Sequence, residues 1–255
     1  MTATPAGMTY ADYLALDRLL TAQKPLSDLH DEMLFIVIHQ TKELWLKQML
    51  HELRLAIALL DQDHFAASYK AMARIGRIQS VMTLSWDVLS TLTPVDYTAF
   101  RDVLGTSSGF QSVQFRELEY KLGIKDRKFL DHCPEGSEGR VRLQSALDEP
   151  SLRDSSHSAL ERAGFDLGDR TEQSIGDAWL QVYRDSDRWF DLYQLAEKLV
   201  DIDDALAMWR HKHVLTVERI IGAKPGTGGS PGAAYLRSTL DKRAFPELWS
   251  MRTGL

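Results

Sequence analysis

Cysteine is nearly missing from this chain, which holds only Cys133 among its 255 residues. A lone cysteine cannot form an intramolecular disulfide, so the sequence excludes a disulfide-stapled fold and favours a reducing compartment. No run of about 18 apolar residues occurs, so no membrane-spanning helix is expected. Residues 1–7 show neither the basic nor the apolar region of a secretory signal. We therefore expect a cytoplasmic protein.

The chain also lacks a basic excess. Its 36 acidic residues outnumber its 30 basic ones, which gives a formal net charge of -6 and a pI near 5.8. Proteins that bind nucleic acids or anionic membranes usually present a basic surface. The composition therefore predicts that neither nucleic acid nor membrane is a partner.

Strand-like alternation of apolar and polar residues is missing beyond a few positions, and only 8 prolines interrupt the chain. Apolar residues instead recur with helical periodicity, which predicts an all-α protein. Because no internal repeat or linker is evident, we expect a single helical bundle domain over residues 1–255. The predicted helices cover about 27–60, 64–92, 94–104, 111–122, 175–199, 203–221 and 233–244, with short helices and polar connections over 125–176.

Two groups of polar residues predict helix ends. Thr93 is an N-cap residue followed by Pro94, which is well tolerated at the first helical position. The acidic group Asp201, Asp203 and Asp204 lacks the glycine and the terminal glutamate of an EF-hand calcium loop. We interpret these three residues as a helix cap.

His39 lies in the middle of the first long predicted helix. The preceding residues 33–38 are almost all apolar, so we expect this section to be buried nearly all round. A buried imidazole needs a polar partner. Phe35 stands one turn earlier on the same helix face. His39 is therefore either a residue that contacts a ligand or a core histidine with an internal hydrogen bond.

His211 and His213 stand two residues apart, so on a helix they point to different sides and at most one faces inward. Paired histidines at i and i+4 and clustered cysteines, which would indicate zinc, are missing. A haem group needs one axial protein ligand on an apolar wall, and a lone helical histidine meets that need. The alternative is that both histidines lie on the surface.

Tyr97 and Arg101 also share one helix face. An arginine beside a phenol can bind a carboxylate through two N–H groups, although an exposed arginine lying over a tyrosine would show the same spacing. The stretch 222–232 holds five glycines and two prolines and fits neither a Walker motif nor a dinucleotide fingerprint. It is either a flexible connection or a loop that closes over a ligand, to which Thr227 would offer its hydroxyl.

Several blocks of the sequence, taken in order, carry a family resemblance. They are YADYLALD at 10–17, HDEMLFIVIHQTKELW at 30–45, YTAFRDVLGTSSGFQS at 97–112, WRHKH at 209–213, GTGGS at 226–230, FPELW at 245–249 and RT at 252–253. In this order the blocks resemble the tryptophan 2,3-dioxygenase family. The resemblance covers most of 8–123 and 175–253, whereas 125–174 matches weakly.

The resemblance implies a cofactor, haem b, which is ferrous in the active enzyme. His213 would be the axial ligand of the iron, with Trp86 on the same side of the haem. Phe100, Ser108 and Gly109 would also belong to the cofactor pocket.

The resemblance also implies substrate contacts. His39 would be the distal histidine, hydrogen-bonded to the indole N–H of L-tryptophan or a close relative, with Phe35 near the indole ring. Arg101 would bind the substrate carboxylate, with Tyr97 beside it. Thr227 would meet the ammonium and carboxylate end as its loop closes.

A homotetramer is the third implication of the resemblance. The N-terminal segment, about 8–20, would pack on a neighbouring subunit and complete its pocket. Tyr10, Tyr13 and Leu14 would make those contacts.

The reaction that the resemblance implies inserts both atoms of O2 across the indole C2–C3 bond. The product is N-formylkynurenine, and the reaction is the first step of tryptophan catabolism through the kynurenine pathway. A haem monooxygenase of the same fold, hydroxylating an indole or aromatic amino acid in secondary metabolism, is the alternative. A non-catalytic haem sensor is a third hypothesis. The sequence departs from the family pattern at Ile38, Thr106 and His211.

Overall fold

The computed structural model describes residues 7–255, and these form only helices and loops, with no strand. The α-helices are α1 (Tyr10–Leu14), α2 (Leu16–Leu19), α3 (His30–Leu60), α4 (Phe65–Leu89), α5 (Pro94–Phe100), α6 (Val113–Leu122), α7 (Glu138–Asp148), α8 (Leu152–Arg162), α9 (Glu172–Arg184), α10 (Phe190–Ile221), α11 (Ala233–Arg237) and α12 (Pro246–Ser250). The prediction of an all-α fold is confirmed for these residues. Residues 1–6, most of the stretch in which no secretory signal is expected, lie outside the described part.

Three long helices, α3, α4 and α10, form the centre of the molecule. The 31 residues of α3 and the 32 of α10 contain neither glycine nor proline, and each helix is roughly 45 Å long at about 1.5 Å per residue. Leu46, Leu50 and Leu53 recur at helical spacing on α3 and are at most 3% exposed. They share one hydrophobic cluster with Ile75 of α4 and Leu199 of α10. No helix among residues 7–255 is long and apolar enough to cross a membrane.

Helix α5 begins as the sequence predicts. The Thr93 backbone N–H donates to the Asp96 carboxylate at 3.2 Å, and the Asp96 N–H donates to the Thr93 hydroxyl at 3.3 Å. This capping box, with Pro94 at the first position, stabilises the helix start. The predicted helix 94–104 nevertheless changes character, because Arg101–Leu104 forms a tighter 3-10 turn after α5.

The predicted helices 175–199 and 203–221 are wrong in their boundaries. Helix α9 ends at Arg184, and α10 then runs without a break from Phe190 to Ile221. The polar residues between the two helices interrupt the apolar periodicity, and we placed this interruption too late in the chain. The predicted helix 233–244 is also shorter, because α11 ends at Arg237.

Asp203 corrects the interpretation of the acidic group as a helix cap. It lies inside α10, only 1% exposed. Its carboxylate accepts hydrogen bonds from the backbone N–H groups of Ala244 and Phe245, at 3.0 and 3.3 Å, and from the Trp249 indole N–H at 3.0 Å. An aspartate can accept hydrogen bonds from a segment that is distant in sequence, and the local sequence does not predict such a contact. Asp203 therefore fixes the C-terminal segment to α10.

We expect Asp203→Ala to lower the free energy of unfolding by about 3 kcal/mol, because three N–H donors, two of them buried, lose their acceptor. Chemical denaturation of the full chain measures this loss. Asp204→Ala is the matched control, since its side chain is the next on the same helix and is exposed. Equal losses in the two variants would contradict the role given to Asp203.

Candidate active site

One cavity of about 620 Å³ lies among α3, α4, α6 and α10. Residues 107–112 and parts of the loop 226–232 also line it. A volume of this size is within the range of cofactor and ligand sites. The lining is largely apolar, and two histidines, His39 from α3 and His213 from α10, reach it from different helices.

The His213 ring stacks on the Trp86 ring, with centroids 4.2 Å apart and planes within 12° of parallel. Burial, helped by the nearby positive charge of Lys42, lowers the pKa of His213 to about 3. The imidazole is therefore neutral at physiological pH, which is the form that binds a metal ion. His211 is exposed, so only one histidine of this pair faces inward.

The His39 ring is held in one orientation by its own helix. Its Nδ1 lies 2.7 Å from the backbone carbonyl oxygen of Phe35. A carbonyl can only accept, so Nδ1 carries the proton and Nε2 keeps a free lone pair. Burial, with a smaller contribution from Lys42, lowers the pKa of His39 to about 4. His39 is therefore a neutral hydrogen-bond acceptor at the cavity.

The helix around His39 is not buried all round, which corrects our expectation for residues 33–38. Met33 and Val37 are 40% and 43% exposed. They lie on the helix face away from the cavity, which no other part of the described chain covers.

Two sets of aromatic side chains lie at the cavity or directly behind its wall. Phe35 contacts the His39 ring at 4.2 Å between centroids and lies 5.9 Å from Tyr97. Phe100, which is fully buried, packs behind them, 5.7 Å from Phe35 and 5.5 Å from Tyr97. On the side of His213, Trp86 lies 5.4 Å from Trp209. Each histidine thus contacts a different aromatic ring, although these rings belong to one hydrophobic cluster.

The glycine-rich loop lies folded against residues 107–108. The Thr227 hydroxyl donates to the Ser107 carbonyl. A Cβ atom on Gly228 would come within 2.6 Å of the Ser108 Cβ, so only glycine permits this approach. The Arg101 guanidinium donates to the Pro225 carbonyl at 2.6 Å. The loop is therefore held over the cavity by contacts that a ligand could exchange.

A family model described as tryptophan 2,3-dioxygenase matches residues 1–177 and 167–255 of this chain. The chain belongs to the tryptophan 2,3-dioxygenase family. The resemblance seen in the sequence blocks is thereby confirmed, and the match also extends through 125–174, where the sequence resemblance is weak.

Curated tryptophan 2,3-dioxygenases are similar over almost the whole chain. One from Caulobacter vibrioides is 61% identical, over 97% of this chain and 98% of its own. One from Bacillus thuringiensis is 51% identical over 97% and 93% of the two chains. One from Polaromonas is 49% identical over 97% and 88%.

The structure brings together most of the residues that the tryptophan 2,3-dioxygenase resemblance implies. Those that line the cavity are Phe35, His39, Trp86, Tyr97, Ser108, Gly109, His213 and Thr227. Arg101 lies at the loop outside this lining and Phe100 lies behind it. Tyr10 and Tyr13, each 76% exposed, and Leu14, 40% exposed, lie on α1 away from the cavity. Their roles stay predictions.

Among the cavity residues that the sequence analysis did not name, two lie beside the histidines. Trp209 stands one helical turn before His213, and this spacing alone is a signal that they share a face. Lys42 follows His39 by three residues, also on a shared face, shortly after the apolar stretch 33–38. A lysine on the same helix face as a buried histidine is itself a candidate site residue, because a buried charge needs a partner.

Proposed function

We propose that this chain is a haem-dependent dioxygenase that converts L-tryptophan and O2 into N-formylkynurenine. The observation that carries the proposal is the placing of two neutral histidines, His213 and His39, at one cavity in a member of this family. One is suited to bind iron and the other to accept a hydrogen bond from substrate.

The residues fit haem b. His213 presents a neutral imidazole on a largely apolar wall, which is the requirement for a single axial ligand. The indole N–H groups of Trp86 and Trp209 and the amine of Lys42 are buried without a hydrogen-bond partner among the described residues, and all three residues line the cavity. Buried polar groups in native proteins are almost always paired. A cofactor with polar edges would complete these contacts.

Bound ferrous haem would supply the O2 activation that lets both oxygen atoms enter across the indole C2–C3 bond. The chain's own residues bind and orient the indole. Nε2 of His39 accepts the indole N–H, and Phe35 packs against the ring, since its own ring lies 4.2 Å from that of His39. Because the pKa of His39 is lowered to about 4, Nε2 is a weak base, and its contact orients the indole rather than removing the indole proton.

The amino-acid end of the substrate would meet Arg101 and Thr227. Both side chains now donate to backbone carbonyls, those of Pro225 and Ser107. A carboxylate is a stronger acceptor than a neutral carbonyl, so L-tryptophan would compete for the same donors. Tyr97, buried and close enough to Arg101 to feel its charge, would line the slot beside the carboxylate. Substrate binding thereby becomes coupled to the position of the loop.

We further propose a single domain that assembles as a homotetramer, in which α1 reaches the pocket of a neighbouring subunit. Helix α1 has no buried residue, and its tyrosines project from the surface of the chain. Tyr10, Tyr13 and Leu14 form an exposed apolar group that a second subunit would cover.

The pH dependence of substrate binding tests the state of His39. Its ordinary pKa of 6.5 is lowered to about 4, so protonation, which would remove the Nε2 acceptor, begins only well below pH 6. We expect the affinity for L-tryptophan to stay constant from pH 8 to about 5.5. A histidine with the ordinary pKa would instead lose about tenfold by pH 5.5. Titration of the haem absorption with substrate measures this, and 1-methyl-tryptophan, which has no indole N–H, is the control ligand.

Turnover without added electrons tests the proposed reaction. Reduced, haem-loaded protein is mixed with L-tryptophan and O2, and the products are separated by chromatography. We expect N-formylkynurenine in many turnovers with no peroxide and no reductant. A hydroxylated product with an intact bicyclic ring would favour a monooxygenase, and a shifted haem spectrum without any product would favour a sensor.

A further inference from the structure

Lys42 carries a buried amine without a hydrogen-bond partner among the described residues. It is only 6% exposed, and its Nζ makes no hydrogen bond within residues 7–255. The neighbouring carboxylate of Glu43 already accepts from the Ser112 hydroxyl at 2.6 Å and from the Gln114 amide at 2.7 Å. Burying an unpaired charge is costly, so such a group calls for a partner of opposite charge.

The amine lies at the cavity, on the side of His213. Its Nζ is 2.9 Å from the centroid of the Trp86 ring, and that ring stacks on His213. Lys42 itself lines the cavity. Burial lowers the pKa of Lys42 to about 6, because removal from solvent disfavours the charged form of the amine.

The substrate carboxylate is a poor match for this position. That carboxylate is assigned to Arg101 and Thr227 at the glycine-rich loop, whereas Lys42 contacts Trp86, whose ring stacks on that of His213. Haem b carries two carboxylates of its own, at the edge of the macrocycle. A cofactor bound to His213 would carry these groups inside the same cavity that Lys42 lines.

We propose that Lys42 is a cofactor-binding residue whose ammonium pairs with a carboxylate of haem b. The inference rests on the proposed haem binding and adds to it a residue that holds the cofactor edge. This ion pair would give the Lys42 amine a hydrogen-bond partner and would favour its protonated, charged form. An ammonium–carboxylate hydrogen bond out of water is among the stronger contacts that a protein makes.

The test compares haem loss from Lys42→Met and Lys47→Met holoproteins to excess apomyoglobin. Methionine keeps the length of the lysine stem and removes its charge. Lys47 lies on the same helix but is exposed, so it controls for the substitution itself. We expect Lys42→Met to release haem roughly ten- to a hundredfold faster than wild type, the range for losing a hydrogen bond to a charged group, and Lys47→Met to match wild type.

Esterified cofactor gives a second readout that needs no substitution. Full-length chain is loaded with haem dimethyl ester, whose carboxylates carry no charge. Esterification should speed cofactor loss from wild type much more than from Lys42→Met, because the variant has already lost the charged pair. Equal effects of esterification in the two proteins would overturn the inference.

Stability of the haem-free chains separates a cofactor role from a structural one. Replacing an unpaired buried amine by an apolar side chain is expected to raise the unfolding temperature of haem-free protein while haem retention falls. A variant that loses stability without haem and keeps normal haem retention would overturn the inference. Weakened affinity for L-tryptophan with unchanged haem retention would do the same, since it would reassign Lys42 to the substrate. A wild-type chain that takes up no haem would overturn the proposed function, and this inference with it.

Discussion

His213→Ala is expected to leave the chain without stably bound haem. His213 reaches the cavity from α10 with a neutral ring that stacks on Trp86. Removal of groups that merely support a metal ligand costs about ten- to a hundredfold in affinity, so loss of the ligand itself should cost more than about a hundredfold. Haem content after purification, measured by a pyridine haemochrome assay, checks the expectation.

Two control variants and one rescue experiment show whether the loss of haem is specific to His213. His211→Ala should keep a full haem complement, because that side chain is exposed. His39→Ala should keep it as well, since His39 is assigned to the substrate. Added imidazole should restore haem binding to His213→Ala by filling the space of the missing ring. A full haem complement in His213→Ala with a haem-free His211→Ala would reverse the ligand assignment.

Arg101→Ala is expected to weaken binding of L-tryptophan by roughly ten- to a hundredfold, the cost of losing a hydrogen-bonded charged contact. Binding of tryptamine, which lacks the carboxylate, should change far less. The guanidinium lies where the glycine-rich loop meets the end of α5, donating to the Pro225 carbonyl at 2.6 Å. Dissociation constants for the two ligands, measured on haem-loaded protein, give the comparison.

Two further variants show whether Arg101 acts on the ligand or only on the loop. Arg77→Ala removes an exposed arginine of α4 and should leave both affinities unchanged. Arg101→Lys keeps one donor for Pro225 but loses the two-pronged geometry, so it should restore only part of the affinity for L-tryptophan. Equal losses for L-tryptophan and tryptamine in Arg101→Ala would remove the carboxylate role and leave a loop contact.

The long helices could be predicted from sequence because their signals are local. Helix α3 follows from an uninterrupted apolar period, and α5 follows from Thr93 and Pro94, whose effect lies within one turn. The junction between α9 and α10 could not be placed in the same way. The local sequence around Asp203 is typical of a helix cap, yet its carboxylate accepts hydrogen bonds from backbone N–H groups 41 and 42 residues away. Partners so distant in sequence are invisible to periodicity.

The candidate site was predicted through single residues and a family pattern. His39, His213 and Thr227 meet at one cavity as the resemblance implies. Lys42 was missed because a charged residue next to an apolar stretch usually lies on the solvent face, and only the fold shows that it turns inward. The expected contacts of Tyr10 and Tyr13 depend on a second subunit, so neither the sequence nor a single chain determines them.

The most direct test of the dioxygenase proposal counts the oxygen atoms that reach the product. Reduced, haem-loaded protein is given L-tryptophan under isotopically labelled O2, and the product mass is measured. We predict a ring-opened N-formylkynurenine that carries two labelled oxygens. A single labelled oxygen on an intact bicyclic product would contradict the proposal and would assign this chain to a monooxygenase.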